Sequence, residues 1–134
     1  MKKDIKFPPV EGVFVVVAKD TNEVGEAIWN VHIINRNSFD LENVLITSKG
    51  YGETNEEKQE TSTLRHHLPI LEKNEYGLIE LIDPGVFHLT NQYWISYYAQ
   101  GQLFDKKYIF LPETILDENL ISIPEFESPV IMHS

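Results

Sequence analysis

The chain has 134 residues, 42% hydrophobic and 24% charged, which fits one domain built on one ordinary core. Lys and Arg total 11 against 21 Asp and Glu, and the resulting net charge of −10 disfavours a phosphate backbone as partner, so no nucleic-acid binding is expected. No cysteine is present, which excludes disulfides, thiolate zinc sites and cysteine nucleophiles.

Residues 1–11 read as an irregular lead-in, because Pro8-Pro9 forbids regular pairing. The best local basic cluster is Lys2, Lys3 and Lys6, but it contains Asp4 and no aromatic platform follows it. Gly12 opens an apolar run to Ala18. That run is shorter than a signal peptide's apolar region of about 7–15 residues. Nothing approaches the roughly 20 apolar residues of a membrane span. A cytoplasmic protein with no membrane partner is the plain expectation.

The Val13–Ala18 run suits a strand buried on both faces, or the first strand of a sandwich, with turn chemistry at Lys19-Asp20-Thr21-Asn22-Glu23. Glu26 to Arg36 is the clearest strand: Ala27, Trp29, Val31 and Ile33 alternate with Glu26, Asn30 and His32. Leu41 to Ser48 resumes β character, Lys49-Gly50-Tyr51-Gly52 marks a bend or bulge, and 53–60 reads as a polar, acidic loop. Thr61 to Leu68 is a further strand, with Pro69 ending it or holding it to an edge. Tyr76 to Ile82 follows the Glu72-Lys73-Asn74 turn and stops at Asp83-Pro84-Gly85.

A connector over 86–91, with room for one helical turn, leads to a hairpin. Its strands are Gln92 to Ala99 and Leu103 to Leu111, joined across Gln100-Gly101-Gln102. The acidic, proline-containing segment 113–134 is either a docked arm or a loose tail, and a short helix over Ile115 to Ile123 has only Thr114 and Asp117 as a start signal. About seven short strands with frequent turns predict an all-β fold, a single immunoglobulin-like antiparallel β-sandwich over 12–112.

The pattern Trp29-x-Val31-x-Ile33-x-Asn35, followed by Leu41-x-Asn43-Val44-x-Ile46, resembles the middle strands of bacterial immunoglobulin-like modules. The whole chain also resembles a group of short, uncharacterised bacterial proteins. That likeness rests on Lys6-Phe7-Pro8-Pro9-Val10, Ser48-Lys49-Gly50-Tyr51-Gly52, Thr61-Ser62-Thr63-Leu64-Arg65-His66 and Lys106-Lys107-Tyr108-Ile109-Phe110-Leu111-Pro112. Some members of the group carry a label tied to the β subunit of phenylalanyl-tRNA synthetase. The resemblance implies the sandwich. For function it implies at most an accessory role in translation, because the residues form neither an aminoacylation core nor a basic tRNA surface.

Candidate sites follow from residue type and spacing. His66-His67 invites a metal reading, yet neighbours on a strand point to opposite faces and cannot converge on one ion without a bulge. Thr61-Ser62-Thr63 lies near His66 without a nucleophile elbow, and Gly50 and Gly52 lack the Lys and helix of a phosphate loop. Glu80 is the only acid inside a strongly apolar strand, where strict alternation puts it on a solvent face. No catalytic, metal or cofactor residue is expected.

In Tyr93-Trp94-Ile95-Ser96-Tyr97-Tyr98, Tyr93 and Tyr97 share one face with Ile95, and Trp94 and Tyr98 share the other. One set fills the core; the other is an interface unless the C-terminal segment covers it. Phe104 and Tyr108 on the next strand extend the candidate interface of Tyr93, Trp94, Tyr97 and Tyr98. Two functions therefore stand open. One is a non-enzymatic binding or protein-interaction module, as a homodimer or with another protein. The other is a small hydrolase or ligand-binding protein with a pocket near His66, His67 or Glu80.

Overall fold

Nine strands and two short 3-10 turns make up a computed structural model of the protein, which describes residues 7–53 and 56–133 and the backbone of Thr54. The Lys2, Lys3 and Lys6 cluster lies outside the described residues, as does Asn55 within the 53–60 segment. The strands are β1 (Val13–Thr21), β2 (Ala27–Asn35), β3 (Leu41–Thr54), β4 (Glu57–Glu60), β5 (Leu64–Leu71), β6 (Tyr76–Leu81), β7 (Thr90–Ala99), β8 (Gln102–Phe110) and β9 (Val130–His133). The 3-10 turns are Pro84–Val86 and Asp117–Asn119.

All pairings are antiparallel, and they form two sheets. The first has the order β6-β2-β1-β9. In the second, β4 and β5 lie along one edge of β3, with β7 and then β8 on its other side. The inner faces supply one core: Val13, Val15, Val17, Trp29, Val31 and Ile33 meet Val44, Ile46, Tyr93, Ile95, Tyr97, Tyr108 and Phe110. The expected sandwich is therefore the fold. Its strands number nine instead of seven because β4 and β9, each four residues long, form within the segments whose composition predicts loop and tail.

Several boundaries move for physical reasons. Within the 53–60 segment β4 is a strand of exposed side chains rather than loop, since it borrows its order from the register of β3, Tyr51 to Glu60 through Thr54 to Glu57. β3 does not bend at Gly50 and Gly52. Those positions lack a Cβ so that Asn91, Thr61 and Leu89 can pack within van der Waals contact of the strand. Its irregularity falls instead at Asn43, with a left-handed φ of 48° where the pairing shifts between Glu42 and Leu45. Pro69 sits inside β5, which pairs only with β3 and so forms an edge. The β7–β8 turn is the two-residue Gln100-Gly101, both at positive φ (51° and 77°), the geometry that fits strand twist.

The segment 113–133 docks on the first sheet, with Ile115 and Ile131 in the core between the sheets and Ile123 and Phe126 on the outer face. β9 pairs with β1 from Val15–His133 to Ala18–Val130, and Ile121 bridges Val130. Arg36 donates two hydrogen bonds, 2.6 and 2.9 Å, to Glu125, which holds that carboxyl below the ordinary range. Lys19 reaches Asp117 at 2.7 Å. Phe126 packs on His32 and Tyr76 at centroid distances of 4.7 and 4.5 Å. Beneath the strap lies a second apolar cluster of Val16, Ala18, Ile34 and Val130, edged by Phe14, Ile123, Phe126 and Met132. β1 is thus buried on both faces, which is why its sequence is an unbroken apolar run. No helix forms over Ile115 to Ile123; only the Asp117–Asn119 turn does. Among the described residues, no helix is long and apolar enough to cross a membrane.

Candidate functional site

β6 carries the first site. Its pairing with β2 shifts between Val31 and His32, so Ile79 and Glu80 together oppose one residue of β2. A bulge of this kind re-aims a side chain. Leu78 and Leu81 face out, Ile79 and Ile82 are buried, and Glu80 turns inward between the sheets with its side chain only 14% exposed. The expected solvent-facing Glu80 is therefore corrected: the bulge breaks the alternation on which that reading rested.

Glu80 receives three donors from the opposite sheet. Ser48 Oγ donates to Oε1 at 2.7 Å, His66 Nε2 lies 2.8 Å from the same oxygen, and Tyr93 Oη donates to Oε2 at 3.2 Å. Burial, followed by the nearby Glu80 charge and their hydrogen bond, pushes the Tyr93 hydroxyl well above its usual range. A cavity of about 180 Å³ adjoins the cluster, with Lys49, Thr61, Ser62, Asp83 and Asn91 in its wall.

The chemistry of this cluster is that of a clamp. The Ser48 proton points at a carboxylate, and His66 addresses the same carboxylate oxygen, so the imidazole is not set to take a proton from the serine. His67 points the other way, 3.4 Å from Asn43. Of the pocket residues foreseen, His66 and Glu80 come together and His67 does not. Thr61 Oγ1 accepts the Gly50 N–H at 2.7 Å and donates to the Ser62 carbonyl, which ties the hydroxyl to backbone. His32 and His88 are also apart: His32 lies under Phe126, and His88 meets Gln59 at 2.9 Å. Among the described residues, no three His, Asp or Glu side chains are grouped to hold a metal ion.

The second site is the outer face of the five-stranded sheet, and here the candidate interface divides. Tyr93, Tyr97 and Tyr108 are core residues, corrected from interface to interior. Tyr108 donates to the Val13 carbonyl at 2.7 Å across the sandwich. Phe104 stacks on Tyr97 at 5.1 Å and is half-buried, so it too belongs to the interior edge. Trp94 and Tyr98 point outward, 42% and 47% exposed, with Leu45 at 53% beside them.

No protein-family model and no curated protein matches the chain.

The face is ordered around Trp94. Its indole N–H donates to Asp105 at 2.8 Å, and the Lys107 ammonium lies 4.7 Å from the ring centroid. Strand pairing sets Arg65, Thr47, Trp94 and Lys107 in one row across four strands. The next row is His67, Leu45, Ser96 and Asp105. Between them lies a shallow depression of about 200 Å³ lined by Leu45, Thr47, Trp94, Ser96 and Asp105. The pairing of Lys107 with Trp94 was accessible to sequence reasoning, because counting back from the Gln100-Gly101 turn places them opposite. The contributions of Leu45 and Arg65 were not, since they depend on a long-range register.

The buried tyrosines also set an alkaline limit. Burial holds Tyr97 up at about 12 and raises Tyr93 and Tyr108 further above the ordinary 10.0. A raised folded-state value gives stability that is complete below the unfolded value and declines as pH climbs past it. Each of the three then costs up to about 1.4 kcal/mol per pH unit above 10. Tyrosinate absorbance from these residues is expected to appear together with loss of β circular dichroism, and ionisation of all three in a still-folded chain would refute the burial argument.

Proposed function

We propose that the protein is a non-enzymatic protein-interaction module whose contact surface is the outer face of β5, β3, β7 and β8. One observation carries the reading. The docked C-terminal segment covers the outer face of β1 and the adjoining part of β2, whereas among the described residues nothing covers Trp94, Tyr98 and Leu45, which lie together on the outer face of the second sheet. Exposed aromatics held in one orientation by neighbours are the usual anchors of protein interfaces, because little side-chain freedom is lost on binding. The Glu80 cluster supports the same reading from the other side, since its polar groups are spent on joining the sheets.

A photo-crosslinking residue at Ser96 tests this directly. In an extract of the producing cells it should give a discrete protein adduct, and the same group at exposed Glu26, in the β1–β2 turn, should not. Trp94→Ala should abolish the Ser96 adduct while moving the thermal midpoint by no more than about 4 °C, as expected when one exposed hydrogen bond and one cation–π contact are lost. Equal labelling at both positions, or an adduct indifferent to Trp94→Ala, would remove the reading.

A further inference from the structure

The charge pattern of this face narrows the partner. The protein carries a net charge of −10, yet Lys49, Arg65 and Lys107 all surround Trp94 on the outer face. None of the three makes an ion pair among the described residues, as holds also for Lys58, Lys73 and Lys106, so their charges are open to a ligand; Lys19 and Arg36 are paired to carboxylates. The acid within the patch, Asp105, is engaged by the Trp94 indole. With strands about 4.8 Å apart, Lys107 stands one strand from Trp94 and Arg65 two strands away on the other side, so the cations bracket the ring over roughly 14 Å.

Resting on the interaction reading above, we propose that this patch binds an acidic segment of a partner protein. One apolar side chain enters the depression beside Trp94 and Leu45, and carboxylates on either side of it meet Arg65 or Lys49 and Lys107. Screening decides which charges matter. At physiological salt the Debye length is about 8 Å, so a ligand in the depression feels these three cations, offset in part by the Asp105 charge in its wall, more than the acids spread over the rest of the surface. A nucleic acid fits less well. Its continuous charge would run off the patch onto Glu42 at one end and Glu53 and Glu60 at the other, all exposed or on strands flanking the cationic rows.

The test is an array of random-sequence peptides probed with the full-length protein, with a single-stranded oligonucleotide and the protein's own solution mass as alternatives. The retained peptides should be enriched in Asp and Glu flanking an apolar residue. Their binding should weaken as salt rises, and Arg65→Glu with Lys107→Glu should reduce it at least about tenfold. The neutral pair Arg65→Gln with Lys107→Gln should give a smaller loss in the same direction, which guards against a folding defect in the reversed pair. Peptides that bind without acidic enrichment and ignore charge reversal, but are lost in Trp94→Ala, overturn the acidic partner and leave the face as an interaction site. Preferential oligonucleotide binding, or self-association that blocks the peptides, overturns it in favour of that occupant. Retention of no peptide, or only of peptides indifferent to Trp94→Ala, overturns both the acidic partner and the interaction reading.

Discussion

Glu80→Ala is expected to lower the unfolding free energy by about 3 kcal/mol, while Glu80→Gln lowers it by about 1 kcal/mol. The alanine removes the common acceptor of Ser48, His66 and Tyr93, and two of those side chains are almost wholly buried, at 3% and 1% exposed. A buried donor left without an acceptor costs about 1–3 kcal/mol, so a simple sum would be larger than 3. The adjoining cavity admits water that can replace part of what is lost, which sets the lower figure. Glutamine keeps one carbonyl oxygen for the donors, and its amide can donate to the Tyr93 oxygen. Urea midpoints at constant slope measure both differences. Equal stability of the alanine and glutamine variants would mean that the three hydrogen bonds do not hold the sheets together.

Truncation after Pro112 is expected to abolish cooperative unfolding altogether. It removes Ile115, Val130 and Ile131, all buried, and uncovers Val16, Ala18 and Ile34 on the outer face of the first sheet. Three buried aliphatic side chains at about 1.5–3 kcal/mol each amount to much of the 5–15 kcal/mol that a whole domain commands. β1 would also lose hydrogen bonds along the edge where β9 now pairs. Thermal melting followed by circular dichroism gives the result. A truncated chain that melts within a few degrees of the full one would show that the docked segment contributes little. Phe126→Ala, which removes the ring contacts with His32 and Tyr76 and one edge of the second apolar cluster but leaves β9 in place, should by contrast preserve a cooperative transition at a lower temperature.

The parts of the fold legible in the sequence were those decided locally. The β7–β8 hairpin follows from its turn and from apolar alternation, and the burial of β1 follows from an unbroken branched run. What stayed hidden was decided at a distance. β4 has no apolar residue and exists only through its register on β3. β9 is four residues long and finds β1 across most of the chain. Glu80 is misplaced by strict alternation because the bulge that turns it inward falls at Ile79-Glu80, where no Gly or Pro announces it, and the strand's glycine, Gly77, lies outside the bulge. The alternation of Tyr93, Trp94, Tyr97 and Tyr98 was legible, but both sets are aromatic. The packing of the two sheets puts Tyr93 and Tyr97 inside, and the outward set stays uncovered because residues 113–133 lie on the other sheet.

The pairing of β1 with β9 also bears on how the chain is made. One neighbour of β1 is β2, synthesised almost at once; the other is β9, and the contact beside it, Ser128 to Asp20, spans 108 residues. As the chain leaves the ribosome, the far edge of β1 therefore stays bare until residues 130–133 emerge, with Val16 and Ala18 unroofed. Open edges and apolar faces of that kind are what nascent chains aggregate through and what chaperones bind. Closure of the first sheet is thus a late event, completed only when the acidic strap arrives.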